Sequence, residues 1–169
     1  MLNYERLMDT YLNLIRINST SGNENELANF IANKLTHMGL NVEWHKRENI
    51  APSLYAELKG QDNGPTLLMI GHMDTVDIMN GWETNPFNPV IEGDKVYGLG
   101  ACDMKGGIAA ILECLESIVE KGIKLNGNIA VAFVPDEELL SRGTYQLLQD
   151  GIKADMAIMA ECRFNEAAI

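Results

Sequence analysis

The sequence predicts an α/β fold, a mostly parallel sheet flanked by helices, on three observations. Three runs, "TLLMIG" (66–71), "NIAVAFVP" (128–135) and "ADMAIMA" (154–160), read as short strands covered on both faces. Segments with apolar residues at helical spacing separate or precede them, and buried strands alternating with helices imply parallel pairing through crossovers. The chain has 169 residues, 46% hydrophobic and 22% charged, enough for one domain with a full core.

Each element has its own justification. Residues 3–17 carry Leu7, Leu12 and Ile15 at helical spacing. A second helix follows "TSGNENE", whose residue types suit helix capping and a first-turn negative charge. Leu27, Phe30, Ile31, Leu35 and Met38 form its stripe and Gly39 ends it. "NVEWHK" and "SLYAELK" alternate as half-buried strands do. "PVIEGDKVYG" reads as a hairpin turning at Glu92-Gly93-Asp94. In "MKGGIAAILECLESIVEKG", Ile108, Ile111, Leu112, Leu115, Ile118 and Val119 share one helix face, with Glu113, Glu116 and Glu120 opposite. A short helix is expected at 142–150. The chain ends on "ECRFNEAAI" without a glycine, proline or closing helix, the mark of a truncated domain.

Charge narrows the partners. Lys and Arg number 13 against 24 Asp and Glu, a net charge of −11, which excludes nucleic acid and anionic membrane as expected partners because both need clustered cations. The N-terminus has no signal-peptide pattern and no apolar run is long enough to span a bilayer. Cys102, Cys114 and Cys162 are odd in number and form no C-x-x-C pair, so reduced thiols and a cytoplasmic location are expected.

The chemistry-bearing residues gather at strand ends. "TLLMIG" runs into His72-Met73-Asp74, "NIAVAFVP" into Asp136-Glu137-Glu138, and "ADMAIMA" into Glu161, while Asp103 precedes the 105–121 helix. In open α/β sheets ligands sit beyond the carboxyl ends of the strands. One imidazole and several carboxylates delivered there suit zinc, manganese or cobalt. The spacing of His72-x-Asp74 puts both side chains on one side of an extended backbone, so Asp74 could orient the imidazole. "FVPDEE" (133–138) has a plainer reading, a helix start with Asp136 as cap and two acids at the positive end of the helix dipole. A phosphate loop in "GLGACDMKGG" is set aside, because the segment matches neither common phosphate-loop pattern and Asp103 would repel the phosphate.

"GHMDTV", "GLGACDMKGG", "PDEE" and the acid at Glu161 together closely resemble the metal-dependent amidohydrolase family of acetylornithine deacetylase, succinyl-diaminopimelate desuccinylase, aminoacylase and glutamate carboxypeptidase. The resemblance runs from about residue 3 to the end in matching order. It implies a zinc-exopeptidase-like catalytic domain with two zinc ions in the complete site, cobalt or manganese being alternatives. His72 and Glu161 would bind the first metal, Asp103 would bridge both, and Glu138 would bind the second. Glu137 would be the general base and Asp74 would clamp His72. The peptide after Asp103 would be cis.

Members of that family are much longer. Residues 1–169 would be the N-terminal part of the catalytic domain, without the dimerisation domain and the C-terminal segment that supplies a second metal-binding histidine. His37 and His45 lie too far from the motif edge to replace it. The expected result is one near-complete metal site, an inactive fragment and a homodimeric parent. Many members have a proline where this chain has Cys162. Met104, where the dipeptidase branch has a second aspartate, points to an N-acyl amino acid as substrate, with a short peptide as the alternative. A non-catalytic binding relative is the competing reading, against which stands the retention of His72, Asp103, Glu137, Glu138 and Glu161.

Overall fold

The computed structural model describes residues 2–60 and 64–162. The expected lack of a closing element at 163–169 lies outside those residues. The elements, in order, are α1 (Tyr4–Arg16), α2 (Asn25–His37), β1 (Val42–His45), β2 (Ser53–Leu58), β3 (Thr66–His72), β4 (Val90–Glu92), β5 (Lys95–Tyr97), α3 (Gly106–Glu120), β6 (Asn128–Val134), α4 (Arg142–Gln149) and β7 (Met156–Met159).

Five strands form one sheet in the order β1-β2-β6-β3-β7. β3 runs parallel to both β6 and β7, as the three apolar runs predict, whereas β2 is antiparallel to β6 and β1 antiparallel to β2. The α/β layering is as expected and the sheet is mixed, because the alternating strands of the first half enter as a hairpin at one edge. β4 and β5 form the expected separate hairpin, with Gly93 at φ 62° in its turn.

The core has two faces. On one, Leu14, Leu27, Ile31, Leu35, Ile108, Leu112 and Leu115 of the three long helices pack on Leu54, Met69, Val131 and Phe133. On the other, Leu147 of α4 packs with Ala132 and Val134. β6 is thus buried on both faces, which is why its sequence is uninterrupted by charge.

β7 departs from expectation. All four of its residues are exposed, Met156, Ile158 and Met159 to just over half. It pairs with β3 along one side, and none of its side chains belongs to the buried core. An apolar run reports what a strand is suited to, and covering it takes other elements. Among the described residues no helix is long and apolar enough to cross a membrane.

The acidic face expected on α3 is also different. Glu113 is buried and accepts from Arg6 of α1 (Nε to Oε2, 2.7 Å), from the Asn3 backbone N–H (2.6 Å) and from Ser117 Oγ (2.7 Å). Arg6 also reaches Glu116 (3.3 Å) and Glu120 (2.5 Å). The stripe is a seat for one guanidinium, which holds Glu113 down to about 2 from its ordinary 4.5. Replacing Arg6 with Met strands a buried carboxylate and should destabilise the chain by about 2–3 kcal/mol, below the full cost of breaking a wholly buried pair because the guanidinium is partly exposed. A Glu113 pKa depressed by folding contributes stability above pH 4.5 that is lost as the pH falls towards 2. Thermal melts of Arg6→Met across that range should therefore lose the part of the wild-type acid sensitivity that belongs to this pair.

Candidate metal centre

Parallel pairing brings three strand ends together. β3 lies between β6 and β7, so the chain leaves β3 for one neighbour through α3 and later crosses to the other through α4. The carboxyl end of β3 is the switch point at which such sheets form a crevice. Register completes the placement: His72 pairs with Val134, and Ile70 pairs with Met159, which sets Glu161 beside His72.

His72 is buried. Its Nε2 lies 2.8 Å from Asp103 Oδ1 and 3.5 Å from Glu161 Oε2. Donor atoms of His72, Asp103 and Glu138 fall within 4.8 Å of one another, and so do those of Asp103, Glu161 and Cys162. Asp103 belongs to both groups, the position a bridging ligand needs. Asp103 sits in the wide turn Ala101–Lys105 before α3, and its peptide to Met104 is cis.

Asp74 does more than hold the imidazole. His72 Nδ1 donates to the Asp74 backbone carbonyl at 2.9 Å, while the nearest Asp74 carboxylate oxygen is 3.6 Å away. The fully buried Asp74 carboxylate accepts instead from the backbone N–H of Glu137 (2.9 Å), that of Glu138 (3.0 Å) and Ser21 Oγ (3.0 Å). Burial alone would raise its pKa, but His72 and these donors hold it below the usual carboxylate range. One carboxylate therefore fixes the backbone of both glutamates.

The plainer reading of "FVPDEE" is corrected: residues 137–140 form a turn, and α4 starts only at Arg142 with Ser141 at its N-cap position. Asp136 accepts from the Arg142 backbone N–H at the start of α4 (3.2 Å) and pairs with the Arg142 guanidinium (2.7 and 2.6 Å), tying the turn to that helix from outside the cap position. Glu138 joins the ligand group, and Glu137 is absent from it. His37 contacts the Asn33 carbonyl in α2, and His45, level with His72 in the register but three strands across the sheet, pairs with Asp150.

The electrostatics fit a cation. Burial and then Asp103 push Glu161 up to about 6 and raise Glu138 as well. Burial opposes charge on His72, but Asp74, Glu161 and Asp103 outweigh it and raise it to about 9. Carboxylates that repel one another around a single imidazole suit a divalent ion, whose charge would relieve the repulsion.

Four supporting residues escaped the sequence reading. Ser21, read as a capping signal, reaches Asp74; α2 starts without a side-chain cap. Glu24 is buried with Oε2 unpartnered among the described residues, and burial raises its pKa. Lys105 is buried and donates to the Ile17 carbonyl (2.7 Å), and burial lowers it to about 8. Gly107 packs so closely on the end of β7 that an added Cβ would lie 2.0 Å from the Ala160 carbonyl oxygen. Gly107→Ala should displace Glu161 and weaken metal binding about 10- to 100-fold, the range typical of residues that position ligands, measured by competition with a chromogenic chelator.

The profile of peptidase family M20/M25/M40 matches residues 68–167. Carboxypeptidase G2 of Pseudomonas sp. (strain RS-16) is 34% identical over 161 residues, 92% of this chain and 38% of its own length. Succinyl-diaminopimelate desuccinylase of Blochmanniella pennsylvanica is 34% identical over 141 residues, 81% and 36% of the two chains. A tripeptidase of Staphylococcus aureus subsp. aureus Mu50 superimposes with a TM-score of 0.80 at 30% identity, covering 96% of this chain and 44% of that one. The chain thus spans about two fifths of the length of these relatives. With the family profile lying over all three strand ends and the acids they carry, the chain belongs to peptidase family M20/M25/M40, a family of amide-bond hydrolases.

Proposed function

We propose that this chain forms most of a two-metal site that hydrolyses an amide bond in an N-acyl amino acid or short peptide. The observation that carries the reading is the convergence of His72, Asp103 and Glu138, with Glu161 3.5 Å from His72. His72 and Glu161 would hold one ion, Glu138 the other, and Asp103 both; zinc suits this donor set, with cobalt or manganese possible. Bound metal lowers the pKa of a water that serves as nucleophile. Glu137, free of the ligand group, takes that water's proton on its carboxylate and returns it to the leaving amine. Asp74 keeps Glu137 and Glu138 in register through their N–H groups.

Among the described residues no histidine besides His72 joins Glu138, and His37 and His45 are engaged elsewhere. We therefore read the chain as part of a longer, homodimeric, cytoplasmic enzyme whose remaining segment brings a second histidine, and these 169 residues as inactive alone. An N-acyl amino acid is favoured over a dipeptide because Met104, not a second aspartate, follows Asp103. Elemental analysis after dialysis should give about one divalent ion per chain, and Asp103→Ala should give none, because that variant removes the shared ligand. Folded chain without metal would overturn the reading.

A further inference from the structure

We propose that Lys105 and Tyr11 are positioning residues for Asp103, tying both ends of the turn that carries this shared ligand to α1. On the two-metal reading, on which the proposal rests, Lys105 has no part in the chemistry, yet it is only 1% exposed. Lysine is almost never buried to that degree without a partner. Among the described residues it pairs with no carboxylate, and its Nζ donates to the Ile17 carbonyl at 2.7 Å across 88 positions. Ile17 is the C-cap of α1. The last carbonyls of a helix lack partners within it, and the negative end of its dipole favours a cation. Lys105 thus gives α1 what a basic residue in a helix's own last turn can give. At the other end of the turn, Tyr11 of α1 donates from its hydroxyl to the Ala101 carbonyl at 3.0 Å.

Asp103 needs such anchors. Its side chain is 52% exposed, so its aim depends on the backbone that carries it. On the sheet side, Met104 is fully buried with its sulfur 3.0 Å from the His72 backbone nitrogen, which sets the turn against β3. On the helix side, Lys105 closes the turn with its own N–H, donating to the Gly100 carbonyl at 3.0 Å, while its side chain reaches Ile17. The lysine stem follows the turn. A Cβ added at Gly100, where φ is 72°, would lie 3.3 Å from both Lys105 Cδ and the Asp103 carbonyl oxygen. Asp103 is therefore held between strand and helix, and losing either tie to α1 frees one end of its turn. Because Asp103 would serve both ions, both affinities fall together. That separates Lys105 and Tyr11 from a residue that supports one ligand, as Gly107 supports Glu161.

The test uses Lys105→Met and Tyr11→Phe in a longer protein that carries the complete catalytic domain. Amide hydrogen exchange is followed on the metal-free protein, and both zinc affinities are measured by competition with a chromogenic chelator. Met keeps a long unbranched stem and removes the donor. The expected result for Lys105→Met is faster exchange confined to 101–106, unchanged protection in α2 and β6, and both affinities lower by about 10- to 100-fold. Tyr11→Phe loses only a hydroxyl from a half-buried ring, so it keeps the fold and tests the tie even where Lys105→Met does not fold. It should loosen the same amides and weaken both ions by about 2- to 10-fold, the range for one neutral hydrogen bond. Wild-type affinities in the folded variants, a loss confined to one ion, or protection lost evenly through the domain would overturn the proposal alone. Wild-type protein that binds no zinc would overturn the two-metal reading and the proposal with it.

Discussion

Glu137→Gln, made in the longer protein that carries the complete catalytic domain, should lower kcat by about 10²- to 10⁴-fold, the range for loss of a general base, while metal content stays at the wild-type value. Gln keeps the size and the backbone N–H that Asp74 binds at 2.9 Å, and it removes only the ability to take a proton. Glu137 is adjacent to Glu138 yet outside the group that gathers His72, Asp103 and Glu138, so the two glutamates separate metal loss from loss of chemistry. Glu138→Gln should lower occupancy along with rate. Unchanged turnover in Glu137→Gln would remove that residue from the mechanism, and depleted metal would make it a ligand.

Asp74→Ala carries the largest expected effect on stability. The carboxylate is fully buried, and its loss leaves the N–H groups of Glu137 and Glu138 and the hydroxyl of Ser21 without their acceptor. Buried groups left unsatisfied cost about 1–3 kcal/mol each, so the total is on the order of 4 kcal/mol even with partial relaxation. In a chain of 169 residues that corresponds to a Tm lower by roughly 8–16 °C. Asp74→Asn retains one acceptor and should fall between wild type and Asp74→Ala. Because the same carboxylate sets the backbone of Glu138, metal affinity should fall about 10- to 100-fold in the variants that stay folded. A melt within a degree or two of wild type would show that the 136–138 loop is held by other contacts.

Gly107 and Arg6 show why these support residues could not be read from one sequence. A glycine in "DMKGG" is ambiguous until the Ala160 carbonyl is placed where its Cβ would be. Arg6 looks like a solvated charge on the first turn of α1 until α3 brings Glu113 across a separation of 107 positions. The glutamates at 113, 116 and 120 have the spacing of an exposed face, and the packing of α1 makes them a seat for one cation.

The sequence alone settled what depends on local order: the helical stripes of α1, α2 and α3, the β4–β5 turn at Gly93, and the positions where apolar strands give way to His72, Glu138 and Glu161. Periodicity and strand-end chemistry are properties of short windows, so a single chain displays them. Tertiary structure decided the partners: that β1 and β2 add antiparallel to an otherwise parallel sheet, that β7 stays outside the buried core, that Asp136 ties to Arg142 while Glu138 turns to the ligand group, and that Asp74 fixes the acidic loop rather than only the imidazole. Those choices come from contacts between residues tens of positions apart, where strand register and helix packing set which groups meet.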